Sequence, residues 1–552
     1  MEKVDSVNKL LEGSFKANWD YPALSNYQGI TLYYRDVARK IEKLHILYEL
    51  CGLEKGDKIS ICSKNQANWG VAFLSAITYG AVAVPILHEF KPGNIHHIVN
   101  HSESRILFVE DSIWEQLSGA EMPGLDAVIN ISDFSIYESS AKKILEARER
   151  LNELFGKKFP RNFGPEQVSY FEDTPEDLAV INYTSGTTGF SKGVMLPYRS
   201  IMGNLLFAKD VLPQLNNSCN VVSMLPVAHM YGMMFEFLYE MSAGVHVHFL
   251  TRIPSPKIIM DAFDIIKPDI IISVPLIIEK IYKKKLQPLI NKTPVRVMLN
   301  LPIIEKQIEK KIRKELIKTF GGKFIEIIIG GAAFNREAEA FFRRIGFPYT
   351  VGYGMTECGP IISYAPWSNT KLYSCGKVVR GMNIKIDSSD PQNTPGEILV
   401  KGDNVMIGYY KNPEATNAVF TEDGWMRTGD MGVIDSDGFL YIKGRSKSMI
   451  LGSNGQNIYP EEIESILNNM PYVVESLIIE DKGSLVALIY PDFESAEKDG
   501  YSEDMLRAKM EENRAEANAD LPNYCKIASI EIFPEEFEKT PKRSIKRFLY
   551  QR

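Results

Sequence analysis

The alternation of amphipathic helical patterns with short apolar strands is the feature that most constrains how this chain can fold. In the first third of the sequence, the helical pattern YRDVARKIEKLHILYEL is followed by the strand patterns KISICS and RILFVE. A second series after Lys267 contains DIIISVPLIIEKIYKKK, a Lys/Glu-rich helix at 304–318 and FIEIIIGGAAF. Strands that alternate with helices favour a largely parallel sheet covered by helices. The body of the chain is therefore predicted to be α/β, with two mostly parallel sheet subdomains.

The pattern changes in the last third of the chain. After about residue 372, short strands alternate with turn signals, as in DSSDPQNTPGEILVKG, which predicts a small β-rich subdomain. From about residue 446 the sequence contains one strand–helix–strand set. Because 552 residues exceed what a single hydrophobic core usually holds, we expect more than one domain. We predict a large N-terminal domain over residues 1–445 and a small, mobile α+β lid domain over residues 446–552.

One uncharged stretch of eighteen residues, from Gly70 to Leu87, is long enough to be considered as a transmembrane helix. Ser75 and Pro85 dilute its hydrophobicity, and a helix that ends near Gly80 before a buried strand AVAVPIL explains the stretch without lipid. We therefore predict no transmembrane segment. Peripheral contact with a membrane stays open.

Charge and cysteine content exclude several classes of function. The net charge of −7 provides no global basic field, so nucleic acid is not expected as a partner. The six cysteines occur without CxxC spacing, and no His/Cys cluster indicates a zinc site. Reduced thiols, together with a start (MEKVDSVNKLLEGS) that lacks the apolar core of a signal peptide, favour a cytoplasmic location.

The segment YTSGTTGFSKGV (183–194) is the most informative motif. It follows the apolar run LAVINY, and its glycines allow backbone N–H groups to approach an anion closely, while its hydroxyls and one ammonium complete a cradle for phosphates. It is not a Walker loop, because GxxxxGK[ST] is absent. Considered alone, the segment is equally consistent with a flexible connector.

Further motifs follow this loop in a fixed order. They are LPVAHMYG (225–232), GGAAF (330–334), GYGMTE (352–357), GEILVKGDNVMIGYYKNPEAT (396–416), WMRTGDMG (425–432), GFLYIKGRSKSMI (438–450) and NGQNIYPEEIE (454–464). With the loop, they resemble the acyl-adenylating superfamily of acyl-CoA synthetases, luciferases and nonribosomal peptide adenylation domains, over roughly residues 27 to 547. The phrase SVPLIIEKIYKK (273–284) resembles the long-chain fatty acid CoA ligase branch.

This resemblance implies that the chain uses ATP, Mg²⁺ and CoA, and it implies a position for each part of the nucleotide. Tyr353 would stack on adenine, whose edge meets the Gly331–Ala332 backbone; the alternative is a core tyrosine. Asp430 would accept the ribose hydroxyls and Arg445 would face ribose or phosphate; the alternative is that both are surface turn residues. The residues expected around the phosphates are Thr184, Ser185, Gly186, Thr187, Thr188, Gly189 and Lys192.

The same resemblance implies the catalytic parts. Glu357 would bind Mg²⁺ as a hard oxygen ligand, and Thr356 would bond the α-phosphate. A carboxylate cannot acylate a thiol directly, whereas an acyl-AMP releases AMP as a stable leaving group. Lys447 would be the hinge about which the lid rotates between adenylation and thioester formation. Gly455 would line the pantetheine tunnel; the alternative is an ordinary turn glycine.

The acyl group would lie near His229, which the family places beside the carboxylate and the thiol tunnel, and near Gly354. The apolar residues that follow, among them Met230 and Met233, suit an alkyl or aryl pocket. A core stripe has the same appearance, so both interpretations remain.

Two departures from the family pattern matter. Pro197-Tyr198 stands where the family usually has Thr-His. The catalytic lysine expected near the C-terminus is replaced by Ser544 in KTPKRSIKR. Lys542 and Lys546 are the nearest cations, and we favour Lys542 because it lies in a loop, whereas Lys546 falls in a regular segment.

Three functions are therefore compared. The leading one is a two-step acyl-CoA synthetase for a medium- or long-chain fatty acid. The second is an acyl-AMP ligase that loads an acyl carrier protein in trans. The third is a nucleotide- or acyl-binding homologue that has lost catalysis with its lysine.

Overall fold

The computed structural model describes residues 6–140, 142–184, 191–252, 254–282, 302–451, 457–540 and 545–552. Some predicted site residues lie outside these ranges. They are Ser185, Gly186, Thr187, Thr188 and Gly189 of the phosphate loop, Gly455, and Lys542 with its neighbour Ser544.

The strands fall into four groups along the chain. The first nine are β1 (Pro22–Asn26), β2 (Thr31–Tyr33), β3 (Lys58–Cys62), β4 (Val82–Ile86), β5 (Ser104–Val109), β6 (Ala127–Asn130), β7 (Ile136–Ser139), β8 (Leu178–Thr184) and β9 (Lys192–Pro197). The next five are β10 (Asn220–Ser223), β11 (His246–Phe249), β12 (Ile271–Ser273), β13 (Ile327–Ile329) and β14 (Tyr349–Val351). Eight short strands follow, β15 (Tyr353–Gly354), β16 (Ile361–Tyr364), β17 (Lys377–Val378), β18 (Met382–Asp387), β19 (Gly396–Gly402), β20 (Gly408–Tyr409), β21 (Met426–Ile434) and β22 (Leu440–Arg445). The last are β23 (Ile450–Leu451), β24 (Asn457–Ile458), β25 (Val473–Asp481), β26 (Ser484–Pro491) and β27 (Ile527–Ile532).

The helices cover the sheets. In the N-terminal part the α-helices span Val7–Ala17, Tyr34–Leu50, Ala67–Tyr79, Pro92–Ser102, Asp111–Trp114, Lys142–Glu149, Leu151–Lys158, Tyr198–Val211, Met230–Met233, Tyr239–Ala243, Pro256–Ile266, Pro275–Ile281, Pro302–Thr319, Arg336–Arg344 and Pro413–Val419. In the C-terminal part they span Pro460–Leu467, Phe493–Lys498 and Glu503–Asp520. A π-helical turn, Met234–Leu238, joins two of the short helices.

The first sheet has eight strands in the order β20-β9-β8-β4-β3-β5-β6-β7. Its centre is parallel, from β8 through β4, β3 and β5 to β6, and only β7, β9 and β20 are antiparallel to their neighbours. The central strands are apolar on both faces, as in β4, where all five residues are buried. This is the composition typical of a parallel sheet between helix layers.

The second sheet begins earlier in the chain than the sequence indicated. Strands β10 and β11 are parallel, and β11 pairs in parallel with β1 from the start of the chain. A bridge between Val221 and Ile270 continues the array to the parallel strands β12, β13 and β14. The predicted α/β fold with two mostly parallel sheets is confirmed, but the second sheet was expected only from Lys267 onward.

The later regions also match the predicted fold class. Strands β18, β19, β21 and β22 form an antiparallel sheet, as expected for a small β-rich subdomain. The chain after it contains β25, β26 and β27 with three helices, and a hydrophobic core of its own that includes Ile463, Leu477 and Met510 in two adjoining clusters. A smaller C-terminal α+β domain therefore follows the large N-terminal one. The boundary at 445/446 stays a prediction.

The uncharged stretch from Gly70 to Leu87 is resolved as expected. The helix Ala67–Tyr79 ends at Gly80, which adopts φ 88°, and β4 follows at once as a buried strand. Only glycine enters this left-handed conformation without strain, which explains why the helix stops there. Among the helices in the described ranges, none is long and apolar enough to span a bilayer.

Candidate active site

The flanks of the predicted phosphate loop form a hairpin. Strand β8 ends at Thr184 and β9 begins at Lys192, and these two residues are paired across the antiparallel ladder. The side chain of Asn182, buried in β8, donates to the carbonyl of Ala228 at 2.9 Å. The hairpin is thereby fixed to the segment in which His229 lies.

Lys192 and Glu357 meet on one aromatic side chain, that of Tyr409. The Lys192 ammonium lies 4.9 Å from the centroid of the Tyr409 ring. The Tyr409 hydroxyl donates to Oε1 of Glu357 at 3.0 Å. The structure thus brings the cation predicted for the phosphates close to the carboxylate predicted for the metal, although 165 positions separate them in the sequence.

Glu357 and Thr356 lie in a single 3₁₀ turn, Thr356–Cys358. Thr356 is buried and Glu357 is half-buried. Within the described ranges, no group of three or more His, Cys, Asp or Glu side chains could hold a metal ion by itself. One carboxylate whose remaining ligands come from substrate phosphates is a usual arrangement for Mg²⁺, so Glu357 fits the predicted role.

Asp430, Tyr353 and Arg445 form the second cluster. The Tyr353 hydroxyl donates to Oδ2 of Asp430 at 2.6 Å, and Nε of Arg445 lies 3.2 Å from Oδ1 of the same carboxylate. Asp430 and Arg445 are register partners on β21 and β22. Asp430 is only 5% exposed, so it is not a surface turn residue, and burial raises the pKa of its carboxyl despite the Arg445 charge. Arg445 is exposed, at 69% of its side-chain surface.

Gly331 and Ala332 lie one residue beyond the end of β13 and are exposed. Gly331 adopts φ 88°, a left-handed conformation that favours glycine. Nearby, Gly330 faces Tyr231, because a Cβ there would lie 3.2 Å from the tyrosine ring. The Tyr231 hydroxyl donates to the carbonyl of Ile328 at 3.0 Å. The segment predicted for the adenine edge therefore contacts the segment predicted for the acyl group.

His229 begins the helical part of the acyl-site segment, which comprises residues 225–241. It is the N-cap of the helix Met230–Met233, and its Nδ1 accepts from the backbone N–H of Tyr231 at 3.3 Å. Met230 and Met233 are completely buried in the main hydrophobic core. Their burial fits both a core stripe and the wall of an alkyl pocket, so their predicted contact with substrate stays a prediction.

Gly354 occupies a position where a side chain has no room. A Cβ at Gly354 would lie 2.2 Å from the backbone oxygen of Pro360. This close approach lets β15 pass against β16 beside Tyr353. The glycine is therefore required by backbone packing, and its predicted proximity to substrate remains untested.

Two further predicted residues lie in the C-terminal region, Lys447 at its start and Lys546 near its end. Lys447 is exposed in a turn directly after β22, where the backbone N–H groups of Ser448 and Met449 both donate to the carbonyl of Arg445. Lys546, the alternative to Lys542, forms an ion pair with Glu538.

The sequence did not single out Tyr409 or two buried acids that the structure brings to the site region. Glu236 and Glu240 lie one helical turn apart in the otherwise apolar run after His229, and each has one carboxyl oxygen without a hydrogen-bond partner. Burial raises the pKa of both, for Glu240 to about 8. Two acidic residues four apart in an apolar run are a sequence signal that could have found them.

Comparisons with known proteins were consistent over nearly the whole chain. The sequence model of the family described as AMP-binding enzyme matches residues 11–410, and that of the AMP-binding enzyme C-terminal domain matches residues 447–551. A long-chain-fatty-acid–CoA ligase of Mycobacterium bovis is 26% identical over 90% of this chain and 86% of its own length. Long-chain-fatty-acid–CoA ligase 5 of Rattus norvegicus is 29% identical over 81% of this chain and 69% of its own.

Solved structures show the same fold. The anthranilate CoA ligase AuaEII in complex with anthranoyl-AMP superposes with a TM-score of 0.77 at 19% identity, covering 99% of this chain and 96% of its own. The O-succinylbenzoate CoA synthetase of Bacillus subtilis, in complex with ATP and magnesium ion, gives a TM-score of 0.73 at 22% identity, covering 98% of both chains.

Proposed function

Because the chain belongs to the AMP-binding enzyme family, we propose that it is an AMP-forming fatty acid–CoA ligase for a medium- or long-chain acid. The family supports the broader statement, an adenylate-forming acid–CoA ligase that uses ATP. The observation that carries the proposal is the convergence of Lys192 and Glu357 on Tyr409, since it joins an anion-binding group to a metal-binding group.

The proposed reaction has two steps. In the first, a carboxylate oxygen of the acid attacks the α-phosphorus of ATP, the bond to the β-phosphate oxygen breaks, and pyrophosphate leaves. In the second, the thiolate sulfur of CoA attacks the acyl carbonyl, the bond to the phosphate oxygen breaks, and AMP leaves. Bound Mg²⁺, held by Glu357 and the substrate phosphates, would supply charge stabilisation for the phosphates.

The chain's own residues hold the substrates in place for these steps. Lys192 would bind a phosphate of ATP, and Asp430, kept buried beside Arg445, would accept the ribose hydroxyls. The Tyr353 hydroxyl donates to Asp430, so the tyrosine ring is held next to the carboxylate proposed for ribose and would offer a face to adenine. Preorganised groups of this kind need no rearrangement during the reaction.

The choice of a fatty acid is supported by two features. The long-chain-fatty-acid–CoA ligases named above align along most of this chain. The segment after His229 is apolar from Met230 through Leu238 except for Tyr231, Gly232 and the buried Glu236. An apolar lining suits an alkyl chain.

Exchange of labelled pyrophosphate into ATP tests the proposal directly. We expect exchange that requires both a carboxylic acid and Mg²⁺, with AMP and pyrophosphate as products when CoA is added. Glu357→Gln should reduce exchange by about 10²- to 10³-fold, the usual effect of removing one preorganised group. The matched control is Glu414→Gln, an exposed acid on the helix Pro413–Val419. Formation of ADP and phosphate would refute the proposal.

The two alternative functions can be distinguished from the proposed one by the molecule that accepts the acyl group. AMP release would be measured with free CoA, with an acyl carrier protein carrying pantetheine, and with neither. Turnover only with the carrier protein would favour an acyl-AMP ligase. Binding of nucleotide without turnover would favour a homologue impaired by the replacement of the expected lysine with Ser544.

A further inference from the structure

We propose that Tyr409 is a positioning residue that separates Lys192 from Glu357 and so keeps one charge available to the nucleotide phosphates and the other to Mg²⁺. The proposal rests on the function proposed above. Tyr409 would contact neither substrate and would act through its two charged neighbours.

The position of Tyr409 is fixed by backbone contacts on both sides. Its strand, β20, pairs with β9 so that Tyr409 lies opposite Val194, two residues after Lys192. Its own N–H donates to Oγ1 of Thr416 at 2.9 Å. The side chain is 7% exposed. Tyr409 is therefore held by the same strand that carries the predicted phosphate ligand.

A second backbone contact fixes the other neighbour. The N–H of Met406 donates to the carbonyl of Glu357 at 2.8 Å, so the segment that leads into β20 also carries the turn with the predicted metal ligand. Residues 406–409 therefore connect the β8–β9 hairpin, which flanks the predicted phosphate loop, to the turn Thr356–Cys358, which carries Glu357. A shift of this segment would move both charged groups together.

The chemistry of one tyrosine suits this task. The face of an aromatic ring attracts an ammonium without neutralising it. A phenol hydroxyl donates to one carboxylate oxygen and leaves the other oxygen, and its charge, for a cation. Within the described ranges, no ion pair joins Lys192 directly to Glu357, although both contact the side chain of Tyr409, Lys192 at the ring and Glu357 at the hydroxyl. Without the tyrosine, the two side chains could neutralise each other, and substrate binding would have to break that ion pair.

Two substitutions separate the functions of the hydroxyl and the ring. Tyr409→Phe keeps the ring beneath Lys192 and removes only the donor to Glu357. Tyr409→Leu removes both. Tyr410→Phe is the control, because the next residue also donates its hydroxyl to a glutamate, the exposed Glu103, at 2.9 Å.

Nucleotide affinity would be measured by calorimetry over a series of Mg²⁺ concentrations, after thermal melting has shown which variants are folded. For Tyr409→Phe we expect the Mg²⁺ concentration needed for half-maximal ATP affinity to rise about tenfold, with affinity for Mg²⁺-free ATP unchanged within about twofold. For Tyr409→Leu we also expect a loss of about threefold or more in affinity for Mg²⁺-free ATP. Tyr410→Phe should match the unchanged protein.

The outcomes distinguish this inference from the function on which it rests. In a Glu357→Gln background, Tyr409→Phe should have no further effect on the Mg²⁺ dependence. If the unchanged protein shows Mg²⁺-dependent ATP binding and folded Tyr409→Phe has the same dependence, the inference is wrong and the function stands. If Tyr409→Phe does not fold, Tyr409→Leu with unaltered affinity for Mg²⁺-free ATP would overturn it. No Mg²⁺-dependent ATP binding in the unchanged protein would overturn both.

Discussion

The nucleotide side of the candidate site and the acyl-site segment are built in opposite ways. On the nucleotide side, charged and aromatic groups lie on strands and have polar partners, as in the contacts of Tyr353 and Arg445 with Asp430. In the acyl-site segment, Met230 and Met233 are completely buried, and Glu236 and Glu240 each retain an unpaired oxygen.

This difference shows which chemical features a sequence motif can specify. A residue that binds a phosphate or a ribose must present a particular polar group at a particular strand end, so its identity is restricted. A residue that lines an apolar pocket needs only suitable volume, as a core residue does. The nucleotide side therefore has a recognisable pattern, whereas the acyl side has the composition of any buried helix.

The largest effect is expected for Lys542, which we predict to replace the lysine that the family resemblance leads us to expect at Ser544. Lys542→Ala should reduce adenylation by about 10²- to 10³-fold, and Ser544→Lys should restore it in the double variant. Lys546→Ala, the control, removes a lysine that is paired with Glu538 and should have little effect. If Lys542→Ala stays within about twofold of an active parent, Lys542 is not the replacement. An inactive parent that Ser544→Lys activates would favour the impaired-homologue interpretation.

The next effect concerns the hinge. Lys447→Pro fixes φ in the exposed turn after β22, so the lid rotation that we propose for thioester formation should be blocked. We expect the rate of acyl-CoA formation to fall by about 10²-fold while pyrophosphate exchange is preserved. Lys447→Ala serves as the control for loss of the side chain alone. Equal loss of both half-reactions in the proline variant would contradict the hinge role.

A smaller effect is expected from Glu240, on stability rather than on rate. Its pKa is raised by burial to about 8, against 4.5 in the unfolded chain, so the folded state binds the extra proton between these values. Stability is therefore highest at low pH in this window and falls as the pH rises from about 4.5 to about 8. Glu240→Gln should remove this loss of stability, so the variant becomes more stable than the parent protein as the pH rises toward 8.

Chemical unfolding at pH 5 and pH 8 checks this prediction. The two proteins should have similar stabilities at pH 5, and the Gln variant should be the more stable one at pH 8. Glu414→Gln, which changes an exposed acid, should show no such difference. If the difference in unfolding free energy between the two proteins is the same at both pH values, Glu240 does not hold its proton in the folded state.

The smallest effect is the change in specificity constant for each methylene added to the acid. It tests whether the acyl-site segment lines a pocket. If Met233 lines an alkyl slot, each buried methylene contributes ~0.8 kcal/mol, or roughly fourfold in the specificity constant, until the slot is full. We would measure the specificity constant for acids from acetate to palmitate. A flat profile would refute the slot, and Met233→Ala with lower stability but an unchanged chain-length optimum would identify Met233 as a core residue.

Much of the fold could be predicted, because local patterns decide it. The apolar run LAVINY became β8, and the helix before Gly80 ended where the sequence predicted its end. The pairing of Leu24 with Val247 was not predictable, because the partner strands are more than two hundred residues apart and neither sequence specifies the other.

The same limit applies to the site. The motifs indicated Lys192, Glu357 and Asp430 individually, but nothing local to Tyr409 indicates that its hydroxyl meets a glutamate 52 positions earlier. The family was correctly identified, whereas the proposed acid would be selected by the shape of its binding pocket. Such a shape results from packing between distant segments, and one sequence does not contain that information in any local pattern.

The two-residue strand β20 also has a consequence for handling the protein. Strand β20 is the last strand of the eight-stranded sheet, and it occupies the edge of β9 that would otherwise present unpaired backbone groups. An open edge of this kind is a template for association with other chains. A fragment that ends before Gly408 would expose it, so an N-terminal fragment intended to remain monodisperse should extend through β20 and the helix Pro413–Val419, from which Thr416 secures that strand.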